Sequence, residues 1–347
     1  MLAELKRGNS GQAKKIAEVI QRVNPDIILL NEFDYDEKGE GVDVFCDQYL
    51  AKSQNGQPPI KFEHRFIAPV NTGYDSGMDL DGNGKKGEPT DCFGFGQFPG
   101  KYAMAVLSKY PIHEDKVRSF QKFLWKDMPN NRWPMDPKTQ KPYYNDEIKK
   151  IFRLSSKSHW DVPIQVEGRV VHLLASHPTP PAFDGPEDRN GCRNHDEIRL
   201  IADYISGADY LYDDKGVKGG LGSGTSFVIV GDLNADPVDG DGDGAAAKQL
   251  VNHALVQALP IPVSSGGAHY SREQGKANDR QKGDPRHDTG DFGDYRPGNL
   301  RVDYCLPSKN LKMKANGVYW PGPKEPGSDL VGATDHRMVW IDIESSK

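Results

Sequence analysis

The stretch Phe227-Val228-Ile229-Val230-Gly231-Asp232-Leu233-Asn234-Ala235-Asp236 runs from an apolar segment directly into polar residues. A short apolar run that ends at turn-forming residues is typical of a strand buried on both faces of a sheet. In α/β proteins, ligands bind beyond the ends of such strands. The polar half of this stretch is therefore a candidate functional site, and the same pattern recurs along the chain.

Two helix patterns alternate with the apolar runs. Ser10 is placed to cap a helix whose apolar residues follow the i, i+3, i+4, i+7 spacing up to Val23, and Pro25 ends it. A second helix is expected around His195–Ile205. Strands are predicted at Ile27–Leu30, Ala103–Leu107, Val162–Val166, Val170–Ala175, Phe227–Val230, Val302–Leu306 and Met338–Ile343. This alternation predicts an α/β fold.

The composition excludes several protein classes. Among the 347 residues, 44 Lys and Arg against 50 Asp and Glu give a net charge of −6, so no broad basic face for coating duplex nucleic acid is expected. No apolar run approaches the about 18 residues of a membrane span. The four cysteines lack zinc-site spacing, which leaves disulfides and buried thiols both open.

Long polar stretches separate the predicted elements, at Tyr74–Gly100, Asp127–Asp146 and Ser264–Asn299. We interpret them as loops, because they contain no apolar run. None of them is a linker between independent cores, since strand candidates continue on both sides. The sequence therefore predicts a single domain over residues 1–347.

Polar residues follow or precede five of the strand candidates. They are Asn31-Glu32, Ser176-His177, Asp232 with Asn234, Asp303-Tyr304 and Asp335-His336. One acidic residue at a strand end is most often a cap or turn residue, but five such sites weaken that interpretation. Converging carboxylates repel one another unless a divalent cation or a cationic substrate lies between them. Oxygen ligands suit Mg²⁺, Mn²⁺ or Ca²⁺.

These motifs, in this order, resemble the endonuclease/exonuclease/phosphatase superfamily of DNase I-like nucleases, abasic-site endonucleases, sphingomyelinases and inositol-polyphosphate 5-phosphatases. The stretch Met104–Ile112 also looks like an inner strand of that family. The resemblance spans about residues 10–343. It implies a four-layer α/β sandwich of two mixed β-sheets flanked by helices, and metal-dependent hydrolysis of phosphate esters.

The resemblance also implies roles for the acidic and amide residues at the strand ends. Glu32 and Asp335 resemble metal ligands, which we expect to hold Mg²⁺ or Mn²⁺. Asp232 resembles the carboxylate near the attacking water, and Asn234 its partner that holds phosphate or metal. A metal neutralises the phosphate oxygens while a positioned base activates water.

Three further residues complete the catalytic set that the resemblance implies. His336 resembles the catalytic histidine, Asp303 the carboxylate that orients it, and His177 a histidine that contacts phosphate. An Asp–His pair fixes the tautomer and orientation of the imidazole.

Substrate-binding residues are predicted from their neighbourhood. Lys157 and His159 precede the strand Val162–Val166, whose counterpart in the family faces the cleft, so both are expected to touch substrate. Arg193 lies near the start of the second helix, where backbone N–H groups and a guanidinium are suited to an anion. Helix capping and surface charge are the alternative interpretation of Arg193.

Two acidic stretches, Asp79–Gly84 and Asp239–Gly244, match the first half of a calcium loop. The twelfth positions are Thr90 and Leu250, so neither loop has the bidentate glutamate. A flexible acidic turn is one interpretation of each stretch, and a structural Ca²⁺ is the other.

The leading hypothesis is a metal-dependent phosphoesterase that acts on a small or lipid-like phosphate ester or an accessible nucleic acid. The motifs do not separate monoesters from diesters, and they predict no protein partner. The alternative is a catalytically silent, calcium-stabilised binding module on the same fold. That alternative predicts substitutions at the acidic and histidine positions, and none is found there.

Residues 1–9 are short, charged and unlike a strand. Members of the family begin with a strand that ends in an asparagine metal ligand, so we expect this chain to lack its first strand and that ligand. The chain as given also has no signal peptide. Localisation is therefore open, and an export signal ahead of Met1 is compatible with the sequence.

Overall fold

The helices and strands follow the predicted alternation in the computed structural model, which describes residues 1–258 and 260–344. In this part of the chain the α-helices are α1 Leu2–Leu5, α2 Gly11–Val23, α3 Glu40–Phe45, α4 Asp146–Ile151, α5 Arg189–Ile205, α6 Ala245–Val251 and α7 Ser265–Gln274. The strands are β1 Ile27–Asn31, β2 His64–Phe66, β3 Met104–Ser108, β4 Arg118–Ser119, β5 His159–Val166, β6 Arg169–Ser176, β7 Phe227–Asp232, β8 Gly290–Asp291, β9 Asn299–Leu300, β10 Asp303–Pro307, β11 Met313–Tyr319 and β12 Met338–Ile343. A π-helical turn at Cys46–Leu50 extends α3.

Helix α2 begins and ends where its sequence predicts. The Ser10 hydroxyl accepts a hydrogen bond from the backbone N–H of Ala13 at 3.4 Å, which is the N-cap interaction. Asn24 ends the helix in the left-handed conformation with φ 53°, just before Pro25. The buried face of α2 includes Ala17 and Ile20.

Two larger sheets form the centre of the molecule. One has the order β1-β3-β2 and is antiparallel, and the other has the order β10-β7-β6-β5-β4. In the five-stranded sheet β6 and β7 are parallel while the other neighbours are antiparallel, so this sheet is mixed. The pairs β11-β12 and β8-β9 are antiparallel and form two further small sheets.

Three apolar cores separate four layers. Strand β3 shows why its sequence is apolar throughout: Ala105 and Leu107 pack toward α2 and α3, whereas Met104 and Val106 pack toward the five-stranded sheet. The other face of the five-stranded sheet packs against α5 and α6. The predicted four-layer α/β sandwich is confirmed.

The pairing of strands places the polar strand ends at one edge of the five-stranded sheet. In the antiparallel pair of β7 and β10, Asp232 is directly opposite Asp303. Strand β6 runs parallel to β7, so Ser176 and the residues after it lie at the same edge. This register brings three of the predicted polar strand ends together.

Several elements were not predicted from the sequence, and two of them have a clear physical reason. Helix α7 lies within Ser264–Asn299, which we interpreted as a loop, so that interpretation is wrong for these residues. Ser264 caps α7 by accepting from Gly267 N–H at 3.1 Å, and Gly266 lies so close to Trp320 that a Cβ would come within 2.4 Å of its ring. Helix α7 therefore packs closely on Trp320, although its sequence has too few apolar residues to predict a helix. Strand β11 was also not predicted, because Lys314, Asn316 and Gly317 interrupt its apolar residues.

The four cysteines carry free thiols in the structure, which decides between the two alternatives that the sequence left open. Among the residues described, none of the helices has both the length and the apolar character needed to cross a bilayer.

One oxygen of the buried Asp288 carboxyl group lacks a hydrogen-bond partner among the described residues. Asp288 is 6% exposed, and its Oδ2 has no hydrogen-bond partner among the described residues. Burial raises the pKa of Asp288 to about 8, and the negative charges of Asp236 and Asp239 add to the effect. The ionised form of this side chain is therefore unfavourable in the folded protein.

Folding raises the pKa of Asp288, so between about pH 4 and pH 8 the folded state keeps a proton that the unfolded state releases. The free energy of unfolding therefore decreases as the pH rises through this range. We expect Asp288→Asn to raise the melting temperature by ~5 °C at pH 8 and by much less at pH 5. Differential scanning calorimetry measures both values. Asp136→Asn is the control, because the backbone N–H groups of Thr139 and Lys138 lower the pKa of the Asp136 carboxyl and its substitution gives no gain. An equal gain at both pH values would contradict the expectation.

Candidate active site

An imidazole lies between the buried carboxylate of Asp232 and the partly buried carboxylate of Asp303, at the edge of the five-stranded sheet. His336 Nδ1 is 2.9 Å from Asp303 Oδ2, and His336 Nε2 is 3.6 Å from Asp232 Oδ2. The ligand atoms of these three residues all lie within 4.8 Å of one another. Asp232 ends β7, Asp303 begins β10 and His336 lies two residues before β12. The structure thus brings together side chains that are far apart in the sequence.

His177 joins this cluster from the end of β6. Its Nε2 is 3.3 Å from Asp232 Oδ2, while its buried Nδ1 has no hydrogen-bond partner among the described residues. Asp232 Oδ2 is therefore shared between two imidazoles. His177 was predicted for this site, and the parallel pairing of β6 with β7 explains its position.

Asn234 connects the β7 end to the β6 end. Its backbone N–H donates to Asp232 Oδ1 at 2.8 Å, and its Nδ2 donates to the Pro178 carbonyl at 3.1 Å. Asn234 has φ 50°, in the left-handed region that asparagine tolerates. At Gly231 a Cβ would lie 2.0 Å from the Ser176 carbonyl oxygen, so only glycine allows β7 to approach β6 this closely.

The carboxylates and imidazoles of the cluster stabilise one another's charged forms. Burial disfavours the charged form of His336, but Asp303 and Asp232 outweigh burial and raise the pKa of His336 to about 10. Burial also opposes ionisation of Asp232, and here His336 and His177 prevail and lower the pKa of Asp232 to about 2. Burial raises the pKa of Asp303. The cluster thus combines an ionised Asp232 with an imidazole that retains its proton.

The two predicted metal ligands lie outside the three-residue group: Glu32 directly follows β1, and Asp335 directly precedes His336. Glu32 follows β1 with φ 58°, and both carboxylates are exposed. Next to Glu32, the buried Asn31 Oδ1 has no hydrogen-bond partner among the described residues. Carboxylate and amide oxygens form a donor set that fits a hard divalent cation such as Mg²⁺ or Mn²⁺.

Of the three predicted substrate-binding residues, the structure brings Lys157 to the cluster. Its ammonium group is buried, and its one hydrogen bond among the described residues is a weak one of 3.5 Å to the Pro178 carbonyl. Burial lowers the pKa of Lys157, and the carboxylates of Glu197, Asp232 and Glu32 oppose this effect. Lys157 therefore lies within the electrostatic reach of both Glu32 and Asp232.

His159 and Arg193 are not brought to the cluster. His159 Nε2 donates to the Glu197 carbonyl at 2.9 Å, and its Nδ1 lies 2.6 Å from Ser155 Oγ. The Arg193 guanidinium is buried and donates to the backbone carbonyls of Leu154 at 2.8 Å and of Phe93 at 2.5 Å. The hydrogen bonds of His159 and Arg193 are thus made to protein groups away from the cluster, and their contact with a substrate stays a prediction.

Sequence reasoning missed two residues beside the Asp303–His336 pair. Thr289 Oγ1 accepts from the backbone N–H groups of Val302 at 3.0 Å and Asp303 at 2.9 Å. The Phe292 ring lies edge-on to the His336 ring, with 5.4 Å between centroids. Both come from the polar stretch Ser264–Asn299, where no periodicity distinguishes them.

The two calcium-like stretches have different environments. Asp79 and Asp81 form a group with the buried Asp91 in which carboxylate oxygens lie within 4.8 Å of one another. In the second stretch, Asp239 accepts from backbone N–H groups, and Asp241 pairs with Arg296. Calcium at the first stretch stays a prediction, and the contacts of the second one give it no support.

Residues 4–336 match the Endonuclease/Exonuclease/phosphatase family. The chain belongs to this family. Members of the superfamily are generally metal-dependent phosphoesterases. The resemblance seen in the strand-end motifs is therefore confirmed.

Solved structures of other family members share the fold. An endonuclease/exonuclease/phosphatase from Beutenbergia cavernae DSM 12333 aligns with a TM-score of 0.53 at 15% identity over 96% of this chain, which spans 66% of that protein. A family protein from Leptotrichia buccalis C-1013-b aligns with a TM-score of 0.50 at 14% identity, over 96% of this chain and 92% of that one. A comparison with curated protein sequences found no match.

The pairing of Asp303 with His336 generates a prediction that does not depend on activity. We expect Asp303→Asn to lower the pKa of His336 by about one unit or more, because it removes the nearest negative charge. Titration of the imidazole ¹³Cε1 resonance by NMR in EDTA measures this. Asp342→Asn, an exposed change on β12, is the matched control. An unchanged pKa of His336 in Asp303→Asn would show that the carboxylate does not set the charge of the ring.

Proposed function

We propose that this chain hydrolyses phosphate esters with the help of a divalent metal ion. The observation that carries this proposal is the His336 imidazole, held 2.9 Å from Asp303 and 3.6 Å from Asp232 at a buried sheet edge. Family membership supports the general reaction class. The specific bond that is cleaved is part of the proposal.

Each residue of the cluster has a task in this reaction. Asp303 accepts from His336 Nδ1 and fixes the ring, so that Nε2 carries a proton on the side of Asp232. That N–H is suited to donate to a phosphate oxygen that gains negative charge during attack. Asp232 stays ionised and accepts a hydrogen bond from the attacking water, which orients the water toward phosphorus. His177 and Asn234 supply further N–H groups on the β6 side.

The metal belongs at the Glu32 and Asp335 side of the cluster. These carboxylates, with the neutral oxygen of Asn31, would hold Mg²⁺ or Mn²⁺, and the ion would neutralise the phosphate oxygens. Lys157 is the one cation of the predicted set that lies near these groups, so we assign it the contact with the anionic substrate. Its buried ammonium has unused donors for phosphate oxygens.

The net charge of the chain limits the classes of substrate that we propose. A net charge of −6 supplies little attraction for the backbone of a long duplex. We therefore favour a small or lipid-like phosphate ester, or a single-stranded or otherwise accessible nucleic acid. Surface loops around a site set such a choice, and we propose that the segment Ser264–Asn299 contributes to it, because its Phe292 contacts His336.

The direct test is turnover of bis(4-nitrophenyl) phosphate and 4-nitrophenyl phosphate with Mg²⁺, Mn²⁺ or Ca²⁺, and with EDTA. We expect release of nitrophenol on at least one substrate, loss of release in EDTA and recovery with Mg²⁺ or Mn²⁺. His336→Ala controls for contaminating phosphatases. Metal binding without turnover on any substrate would favour the silent binding module and contradict the proposal.

The role of Glu32 as a metal ligand is tested by Glu32→Gln, which keeps the size of the side chain and removes its charge. We expect the Mg²⁺ concentration for half-maximal activity to rise about 10–100-fold, as for other changes at metal sites. Glu37→Gln, also exposed and nearby in the chain, is the matched control. Undiminished Mg²⁺-dependent activity in Glu32→Gln would remove Glu32 from the metal site.

The Asp303–His336 pair is expected to act as a unit. Asp303→Asn should lower kcat about 10²–10⁴-fold while the melting temperature stays close to that of the wild type. The double variant with His336→Ala should be little worse than His336→Ala alone, because residues that act as a unit are not additive. If the two losses multiplied, Asp303 and His336 would work independently.

A further inference from the structure

Helix α5 buries a carboxylate directly behind the candidate active site. Glu197 is 0% exposed, and neither of its oxygens forms an ion pair within 4 Å among the described residues. Instead, Oε1 accepts from the backbone N–H of Ser156 at 2.6 Å, and Oε2 accepts from the backbone N–H of Thr179 at 2.6 Å. Hydrogen bonds from amides to a carboxylate are short and strong. One side chain thus joins two separate backbone segments.

Both of these segments carry residues of the site. Ser156 immediately precedes Lys157, and Thr179 lies two residues after His177. Between His177 and Thr179, the Pro178 carbonyl accepts from Asn234 Nδ2 at 3.1 Å and from Lys157 Nζ at 3.5 Å. The span of the Glu197 carboxylate therefore sets the distance between the two segments.

A neighbouring side chain of α5 extends this connection to a third segment. Asn194 Nδ2 donates to the Thr179 carbonyl at 2.8 Å and to the Leu233 carbonyl at 2.9 Å. The peptide groups on both sides of Thr179 are thus held by α5, one through its N–H and the other through its C=O. Leu233 lies between Asp232 and Asn234, so the helix holds the segments that follow both β6 and β7.

We infer that Glu197 is a positioning residue for the proposed reaction, which fixes Lys157 and His177 relative to Asp232 by binding the Ser156 and Thr179 amides. This role rests on the proposed function. Apolar side chains would fill the same space without the cost of burying a charge, so packing alone does not account for a carboxylate here. A misplacement of about 1 Å in a catalytic group costs roughly 10²-fold in rate.

Helix α5 also offers a matched control for a purely structural role. Asp196, the preceding residue, is equally buried, and its Oδ2 accepts from Trp125 Nε1 at 2.7 Å and from Arg132 N–H at 2.6 Å. These partners lie outside the site segments. Asp196→Asn therefore disturbs a buried carboxylate of the same helix without touching Lys157 or His177.

The experiment compares Glu197→Gln with Asp196→Asn in the full chain. We expect both variants to lower the melting temperature, whereas only Glu197→Gln lowers kcat/KM on the nitrophenyl substrates, by about 10²-fold. Hydrogen exchange measured without substrate should become faster at the Ser156 and Thr179 amides in Glu197→Gln alone. If Glu197→Gln does not fold, Glu197→Asp replaces it, because the shorter side chain keeps the charge but does not span both amides.

The outcomes separate the inference from the proposed function. No turnover by the wild type would overturn the proposed function and this role with it. An active wild type, with Glu197→Gln within about two-fold of Asp196→Asn in kcat/KM, would overturn the inference alone. Equal hydrogen exchange at Ser156 and Thr179 in the wild type and Glu197→Gln would also overturn it.

Discussion

The carboxylates of Asp232 and Asp303 lie opposite each other on neighbouring strands, where Asp232 is buried and Asp303 is partly buried. Such a pair repels unless positive charge lies between its members. In this protein the His336 imidazole provides that charge, and the two carboxylates in turn keep its proton bound. Most of the other features of the site follow from the need to keep these three groups in register.

The backbone near the cluster is adapted to this need. Strand β7 approaches β6 so closely at Gly231 that no side chain fits between them. Asn234 takes a left-handed conformation that points its backbone N–H back at Asp232. Thr289 ties the start of β10 to the polar segment that also contacts His336. Local backbone conformations of this kind cluster at functional sites, where surrounding contacts hold them.

Helix α5 has two roles in one element. Its apolar residues, such as Ile198 and Ile201, pack in the core against the five-stranded sheet. Its polar residues Asn194 and Glu197 are also buried, and they bind backbone groups of the segments that carry Lys157, His177 and Asp232. A helix that is anchored by the core in this way transmits its rigidity to loops that have little apolar surface of their own.

The sequence by itself determined the order of most of the longer strands, the two longest helices and the polar residues at the strand ends. Apolar runs such as Phe227–Val230 and the apolar spacing in α2 are local patterns. Such patterns predict strands and helices from the sequence alone. The family resemblance then named Asp232, Asp303 and His336, and the structure brings these residues together. Only the tertiary structure decided which charged residues face the site and which support it. Arg193 and His159 bind backbone carbonyls, and Glu197 binds two amides, through contacts that join residues up to 100 positions apart. These hydrogen-bond partners depend on how the layers pack, so no local pattern in the sequence predicts them.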